Sequence, residues 1–363
     1  MQVCSNNGAL RITSGRETIH ARRIDIQSRG QVDVTAKRQG TRDDTRTYPD
    51  HLALTPDGDG LMIVNVTRLD SYVAGVITKE YNLDDDEGTE AMAIVARTYA
   101  LRMQERRRDE PYDVVDNTDD QVYKGIGDVS RRALAAANQT SGQVLTHNGE
   151  LAEAVYSASN GGHGANNDEV WQSAPISYLR GRPDPYDRAS PVHTWTERLD
   201  RDRVLSALSR MAGRQVTGWL IGDRTSDGRV RTITLLHGSS RSTIRGTQFR
   251  SAITAQMGIT SVRSTLFDAT RQGDTYILEG KGFGHGVGMS QWGAHGMARQ
   301  GKSAQEILAF YYPGTRVEQR NGQGLTLADI SPPPDQKQPE RPRRTPPKEI
   351  THTPDERRIG WRR

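Results

Sequence analysis

The chain has a single cysteine, Cys4, among its 363 residues. One thiol cannot form an intramolecular disulfide, and it cannot supply the cysteine sets of structural zinc sites. No stretch approaches the roughly 18 apolar residues of a membrane-spanning helix. The N-terminus also lacks the charged and then apolar pattern of a secretory signal. These absences predict a chain without disulfides or transmembrane segments, and they leave its compartment open.

Positive and negative charges balance outside the C-terminal tail, so the rest of the chain has no excess of either sign. The formal net charge is +4, and residues 331–363 alone carry nine Lys/Arg against five Asp/Glu, so the preceding 330 residues are neutral. A nucleic-acid-binding body needs a concentrated basic face, and a phosphate loop needs its lysine, so neither ligand is expected. Eight of the 16 prolines also lie in 331–363, which predicts an extended tail, either a linker or a contact for anionic polymers or membranes.

Two periodicities indicate the fold class. Residues 1–66 alternate apolar and polar positions between turn residues, which predicts short antiparallel strands. From Thr89, a candidate N-cap, apolar residues recur at helical spacing, which predicts a largely buried helix. Its stripe consists of Met92, Val95, Ala96, Tyr99 and Met103. We predict further helices over Ser130–Gln139, Asp200–Met211 and Ser303–Tyr311, and strands over Gln143–Asn148, Glu150–Ser159, Gln215–Gly222, Arg229–Gly238 and Ser239–Gly246.

These elements predict an α+β protein that is rich in antiparallel strands and has two lobes, a buried central helix and a cleft between the lobes. Proline-bearing residues 181–191 suggest a boundary. The predicted divisions are an N-terminal β-rich segment (1–60), a lobe with the buried helix (61–190), a second β-rich lobe (191–330) and a basic, proline-rich tail (331–363).

Glu80 is the first candidate for chemistry. It follows the apolar run Tyr72–Thr78, which resembles a strand, and precedes an Asp-rich turn at 84–86. A carboxylate at such a junction can lie at a cleft rim, where apolar surroundings raise its pKa enough for a general acid. A solvated surface glutamate is the alternative on these residues alone.

Two glycine-rich segments supply the other candidates. In the first, Ser159, Asn160 and His163 surround Gly161 and Gly162, which predicts either a ligand-binding loop or an ordinary turn. The second, residues 279–301, contains eight glycines, and His285 lies between two of them. This segment predicts a tight backbone that presents an imidazole, or a purely structural corner. His285 and His295, ten residues apart without a carboxylate pattern, are a weak zinc signal. The aromatic residues near these segments suit a sugar-binding cleft, with core packing as the alternative; they are Trp171, Tyr178, Tyr186 and Trp292.

Taken in order, these segments resemble the SpoIID/LytB family of bacterial peptidoglycan-cleaving proteins. The segments that carry the resemblance are SYVAGVITKEY, AMAIVARTYAL, YSASNGG, FRSAI with VRSTLF, GKGFGHGVGMSQWGAHGMA and EILAFYYPGT. They extend from about Leu61 to Val317. The resemblance implies a lytic transglycosylase that cleaves between N-acetylmuramic acid and N-acetylglucosamine and leaves a 1,6-anhydro end.

The resemblance also implies roles for single residues. Glu80 matches the glutamate of the family's G-V-x-x-x-E pattern, formed here by Gly75, Val76 and Glu80, and would be the general acid and then the base. One acid fits this cyclisation, in contrast to the two-carboxylate hydrolases. Arg97 would position the substrate or tune Glu80. The cleft would be lined by Tyr156, Ser159, Gly161, Gly162, His285 and Gln291.

Two departures from the family concern cysteine. Some members hold zinc with Cys and His, but this chain has Asn160 where they have Cys, and its Asp120-Gln121-Val122-Tyr123 replaces a Cys-Gln-Val-Tyr segment. We therefore expect no such zinc and no cofactor. The expected partners are peptidoglycan glycan strands and a cell-wall amidase, bound by a monomer in the cell envelope. The alternative function is a non-catalytic, glycan-binding amidase enhancer, and a carboxylate at Glu80 favours the enzyme.

Overall fold

The N-terminal part consists of two antiparallel sheets. The structure is a computed structural model that describes residues 1–6, 8–37 and 43–320, so the predicted tail 331–363 lies outside it. The first six strands are β1 (Gln2–Asn6), β2 (Ala9–Ser14), β3 (Glu17–Ala21), β4 (Ile24–Ala36), β5 (Asp44–Asp57) and β6 (Gly60–Val66). They form the sheets β1-β2-β3 and β4-β5-β6. The prediction of short antiparallel strands over 1–66 is confirmed, although β4 and β5 are long.

Eight helices occur in the described ranges. They are α1 (Leu69–Glu80), α2 (Asp86–Arg106), α3 (Arg131–Gln139), α4 (Asn167–Val170), α5 (Arg201–Ala212), α6 (Gly246–Met257), α7 (Gln291–Ala298) and α8 (Ala304–Tyr311), with a 3-10 helix at Pro185–Ala189. The predicted buried helix is α2, of whose 21 residues twelve are buried. The predicted helices over 130–139, 200–211 and 303–311 are confirmed as α3, α5 and α8.

Two local predictions are wrong. Helix α2 begins before Thr89, because the Asp85 side chain accepts a hydrogen bond from the Gly88 N–H at 2.6 Å and is the true N-cap. The run before Glu80 is the helix α1, not a strand. Its buried residues Val73, Val76 and Ile77 follow helical spacing, and the β-branched residues masked this period.

The remaining strands include the five predicted after residue 142, which are shorter than predicted, and five that were not predicted. They are β7 (Gln143–His147), β8 (Glu150–Leu151), β9 (Tyr156–Ser157), β10 (Thr194–Asp200), β11 (Gly218–Ile221), β12 (Thr232–His237), β13 (Ser240–Arg245), β14 (Phe267–Gln272), β15 (Thr275–Lys281), β16 (Met289–Ser290) and β17 (Arg316–Gln319). The predicted strand 150–159 is divided into β8 and β9. The antiparallel sheets are β17-β7-β8, β10-β15-β14 and β11-β12-β13, whereas β9 and β16 pair in parallel. The α+β class is therefore confirmed.

Buried side chains form two hydrophobic clusters. The larger cluster surrounds α2 and includes the N-terminal sheets, α1, α3, α7 and α8. The smaller cluster lies wholly within residues 194–281, which we call the inserted lobe. The chain returns to the larger cluster at Val287, and β6 pairs with β5 across position 60. The two cores thus group residues differently from the predicted divisions 1–60, 61–190 and 191–330. The division of the chain into domains at these boundaries stays a prediction.

Arg97 lies inside the larger core. Its side chain is 1% exposed and pairs with Asp70 at 2.8 Å. The guanidinium also donates to the Thr140 hydroxyl and to the carbonyls of Ala137 and Gln143. Arg97 therefore ties α2 to α1 and to the segment that follows α3.

We predict that Arg97→Met destabilises the fold by about 2–4 kcal/mol, because it leaves buried acceptors without their donor. Arg108, an exposed arginine just beyond α2, is the matched control. Arg108→Met should change the free energy of unfolding by less than about 0.5 kcal/mol. Chemical denaturation measures both values. Equal stabilities for the two variants would contradict a structural role for Arg97.

Candidate active site

Glu80 ends α1, and its half-buried carboxylate has two hydrogen-bond donors. Oε1 accepts from the Val122 backbone N–H at 2.7 Å, and Oε2 accepts from the Gln291 amide at 3.4 Å. Burial raises the pKa of Glu80 above its ordinary value, and the two hydrogen bonds lower it less than burial raises it. Such a carboxyl keeps its proton closer to neutral pH than an ordinary glutamate does, which is the property that a general acid requires.

A close contact with α1 brings the Val122 N–H to Glu80. Gly75 lies in α1, and a side-chain Cβ at this position would lie 2.5 Å from the Tyr123 ring and 2.8 Å from the Gly125 carbonyl oxygen. The absent side chain therefore lets the 121–125 loop press against the helix. The Tyr123 hydroxyl fixes the loop from the other side by donating to Asn65 at 2.8 Å. Close packing of the 121–125 loop against α1 thus explains why the first position of the G-V-x-x-x-E pattern is a glycine.

Two tyrosines and a buried glutamine lie behind Glu80. The Tyr72 hydroxyl donates to Gln121 Oε1 at 3.1 Å, and Gln121 Nε2 donates to the Tyr156 hydroxyl at 3.3 Å. Gln121 is fully buried. Burial raises the pKa values of Tyr72 and Tyr156 well above their usual range, and the negative charge of Glu80 adds to both shifts. Both phenols are therefore neutral hydrogen-bonding groups.

The parallel pairing of β9 with β16 carries Gln291 to Glu80. Met289 pairs with Tyr156, and Ser290 pairs with Ser157. Gln291 then begins α7. Gly288 permits this approach, because it has φ +70° and a Cβ there would lie 2.0 Å from the Val155 carbonyl oxygen. Val155 comes directly before β9, so the backbone contact fixes the register of the two strands.

A buried carboxylate organises the same strands. Asp187 is fully buried and accepts hydrogen bonds from four donors. The donors are the Ser159 hydroxyl at 2.7 Å, the Asn160 N–H at 3.2 Å, the His193 ring at 3.0 Å and the Ser290 hydroxyl at 2.6 Å. Ser290 is also the N-cap of α7. Asp187 therefore positions the residue directly before Gln291.

The glycine-rich segments contact each other. Ser159 and Phe283 exchange backbone hydrogen bonds of 3.1 and 2.8 Å, which joins the segment of Gly161 and Gly162 to that of His285. His285 is half-buried, its Nδ1 accepts from the Val287 N–H at 3.1 Å, and its ring lies 5.0 Å from that of Trp171.

The His285 imidazole is uncharged at neutral pH. Burial and the nearby charges of Arg229 and Arg250 lower the pKa of His285 to about 4. This ring can therefore form hydrogen bonds and contact a sugar face, but it cannot supply a positive charge.

The structure brings only some of the predicted site residues to Glu80. Gln291 contacts the Glu80 carboxylate, and Tyr156 lies in the hydrogen-bonded group behind it. Ser159 is fully buried and bound to Asp187, so it supports the site from inside. Arg97 bonds to the core groups named above, not to Glu80. The sequence-based predictions did not include Tyr72, Gln121, Val122 and Asp187, which contact the candidate site residues. The Gln-Val-Tyr segment was the one visible signal among these.

The residues at the family's zinc position do not fit a metal. The Asn160 amide donates to Asp184 at 2.7 Å and its oxygen accepts from the Gly162 N–H at 2.9 Å, so both ends are engaged. In the part of the chain that the structure describes, no three His, Cys, Asp or Glu side chains group in a way that could hold a metal ion.

We predict that Gly288→Ala destabilises the fold, because its Cβ would collide with the Val155 carbonyl oxygen. Gly301→Ala is the matched control. Gly301 has a similar φ of +79° but open space where a Cβ would lie. The control should lose about 1–2 kcal/mol from backbone strain alone, and Gly288→Ala should lose more. Chemical denaturation of the two variants measures their free energies of unfolding. Equal losses of stability would contradict the predicted collision at Gly288.

The chain matches one family model and several known proteins. A family model described as "SpoIID: Stage II sporulation protein" matches residues 57–147, which contain α1, α2 and Glu80. The chain is 30% identical over 278 residues to an uncharacterized protein of Brachyspira hyodysenteriae, covering 76% of this chain and 73% of that protein. It is 30% identical over 268 residues to stage II sporulation protein D of Bacillus subtilis, covering 69% and 74%.

A third relative carries another name. The amidase enhancer of Bacillus subtilis is 29% identical over 279 residues, which cover 64% of this chain and 38% of that protein. The sporulation relative is matched over about three quarters of its own length, well beyond the segment that contains Glu80. This chain therefore belongs to the SpoIID family.

Proposed function

We propose that the protein is a peptidoglycan lytic transglycosylase with Glu80 as its general acid and base. The observation that carries the proposal is a single half-buried carboxyl with a raised pKa, placed between a backbone N–H and the Gln291 amide. Membership of a family whose relatives are named for sporulation and amidase enhancement supports a cell-wall substrate. The protein would act in the cell envelope, and it would act as a monomer.

The reaction would proceed in two proton transfers at Glu80. The protonated carboxyl gives its proton to the glycosidic oxygen between N-acetylmuramic acid and N-acetylglucosamine, and the bond from that oxygen to C1 breaks. The carboxylate that remains is stabilised by Val122 N–H and Gln291. It then takes the proton of the C6 hydroxyl while the C6 oxygen bonds to C1. Glu80 is protonated again, and no water is consumed.

The other site residues would act around Glu80. We assign Gln291 and Tyr156 to holding the carboxylate and its surroundings, and His285 with Trp171 to contacting the sugar. Ser159, Gly161 and Gly162 would support the cleft through the buried polar network. For Arg97 the core contacts support a structural role, so we no longer propose that it positions substrate.

A second candidate function is a glycan-binding enhancer of a cell-wall amidase. The observation in its favour is the relative named amidase enhancer. A pure binder gains nothing from burying a carboxylate, since burial of a charge is costly. The requirement for Glu80 therefore distinguishes the two functions: the enzyme needs this carboxyl and the enhancer does not.

We predict that the wild type forms 1,6-anhydro-muramic ends on purified glycan strands and that Glu80→Gln does not. Strands with and without stem peptides are digested, and mass spectrometry identifies the ends. Glu90→Gln is the matched control, because burial also raises the pKa of this α2 glutamate. The control should retain activity.

Other products would change the assignment. Reducing ends, heavier by one water, would indicate a hydrolase and a second group that activates water. Strands that are bound by the wild type and by Glu80→Gln but not cleaved would indicate the enhancer. Equal loss in Glu80→Gln and Glu90→Gln would remove the special role of Glu80.

We also predict that Gln291→Ala moves the basic limb of the pH–rate profile to higher pH. The Gln291 amide donates to Glu80 and so lowers its pKa; its removal raises that pKa further, and the acid form persists to higher pH. The turnover at the optimum should fall, because the carboxylate product loses a donor. Gln300→Ala, an exposed change near the end of the same helix, should leave the profile in place. A basic limb that moves to lower pH in Gln291→Ala would contradict the assignment.

A further inference from the structure

Charge is divided between the two cores. The inserted lobe, 194–281, contains 14 Lys/Arg and eight Asp/Glu, a net charge of +6. Residues 1–193 and 282–320 contain 26 Lys/Arg and 31 Asp/Glu, a net charge of −5. The neutral total of the chain before its tail thus hides a strongly basic lobe beside an acidic body. Such a separation creates a local positive potential that a total charge does not reveal.

Part of this positive charge has no internal partner. In the described ranges, five cations of the lobe lie within 4.0 Å of a carboxylate; they are Arg201, Arg224, Arg229, Arg231 and Arg263. Three others are exposed and lie in one corner without such a pair, namely Arg210, Arg214 and Arg241. We call these three the distal basic patch.

Hydrogen bonds show that the three arginines share this corner. Val216 N–H donates to Ser209 at 2.8 Å, and the His237 ring contacts the Gln215 carbonyl at 2.7 Å. These bonds join the end of α5, with Arg210, to the turn between β12 and β13. In the sheet, Arg241 pairs with Leu236, whose carbonyl accepts from the Thr217 N–H at 2.8 Å. Arg214 lies on the connection between these points.

The distal basic patch lies at the end of β12 that is away from the larger body, which contains Glu80. The opposite end of β12 contacts the larger body, where Arg229 donates to the Asn160 carbonyl at 2.9 Å and Arg231 pairs with Glu169. From there β12 extends for six residues, roughly 20 Å, to His237. The lobe acids Asp223 and Asp227 lie at the end near the body, so they do not neutralise the patch. Only a long ligand can reach both the patch and Glu80.

The exposed sheet face beside the patch carries an apolar side chain among threonines. Leu220 is 52% exposed and lies in register with Thr234 and Thr243, which form a row across β11, β12 and β13. An apolar side chain and threonine methyl groups next to arginines suit a polymer that has both sugar or peptide surface and negative charge.

We propose that the distal basic patch is a second binding site for peptidoglycan, where the arginines bind the carboxylates of stem peptides along the same strand or a neighbouring one. This inference rests on the proposed function, since peptidoglycan is its substrate. Charge complementarity supports it, because arginine forks match carboxylates and, within the described residues, Arg210, Arg214 and Arg241 have no carboxylate within 4.0 Å. A second contact on one polymer raises the local concentration of strand at Glu80 without any new contact there.

The test measures binding in the Glu80→Gln background, which avoids cleavage. The patch variant carries Arg210→Glu, Arg214→Glu and Arg241→Glu. The control carries Arg11→Glu, Arg16→Glu and Arg22→Glu, three exposed arginines of the N-terminal sheet region with the same change in net charge. Each protein is sedimented with purified sacculi from which phosphodiester polymers have been removed.

We expect roughly tenfold weaker binding of the patch variant at about 0.1 M salt, and no difference from the parent at about 1 M, where exposed charges are screened. The control should bind like the parent. On glycan strands without stem peptides, parent and patch variant should bind alike. Wild-type and patch proteins with Glu80 intact should cleave short soluble strands equally, which confirms that the variant folds.

Three results would overturn the proposal. Equal losses in both triple variants would indicate only general repulsion. A loss confined to sacculi that retain phosphodiester polymers would assign the patch to phosphate. Unchanged binding of the patch variant would leave the patch without this function. Failure of the proposed function is separate, because then the parent itself would not bind sacculi or the wild type would form no anhydro ends.

Discussion

A carboxylate without exposure to solvent, that of Asp187, accepts hydrogen bonds from residues in three parts of the chain. Ser159 follows β9, Ser290 begins the turn into α7, and His193 leads into the inserted lobe. A buried negative charge is tolerated only where donors surround it, so these segments hold their relative positions together. The placement of Gln291 against Glu80 follows from this arrangement, since Ser290 is its neighbour and the N-cap of its helix.

Glu80 is under two opposed influences that set its chemistry. Burial favours the protonated form, and the donors Val122 N–H and Gln291 favour the carboxylate. The proposed role of an acid that then becomes a base uses both forms of the carboxyl, and each influence favours one of these forms. The same reasoning explains why the tyrosines behind Glu80 remain neutral: their burial and its charge oppose their ionisation. Of Glu80, Tyr72 and Tyr156, Glu80 is therefore the group that ionises.

Local signals in the sequence predicted the local structure, and long-range contacts escaped them. The stripe from Met92 to Met103 predicted α2, because one buried face repeats at helical spacing. In α1 the β-branched residues hid the same period, and in α7 the glycines did. The resemblance placed the charged Arg97 side chain near the substrate. In the structure, its guanidinium instead pairs with Asp70 and donates hydrogen bonds to three oxygens of the core. No spacing rule could connect Asp187 with Ser290, which are 103 residues apart.

The division of charge also depends on folding. Neutrality of the chain before its tail argued against a basic binding face, and this argument holds for a uniform surface. Once residues 194–281 form a separate core, their cations cannot be neutralised by the acids of the other core except at the junction, where Arg231 meets Glu169. Cations at the far end of β12 remain available to a ligand. A neutral net charge of a whole chain therefore does not exclude the binding of a polyanion. The net charge of each separately folded part has to be neutral as well.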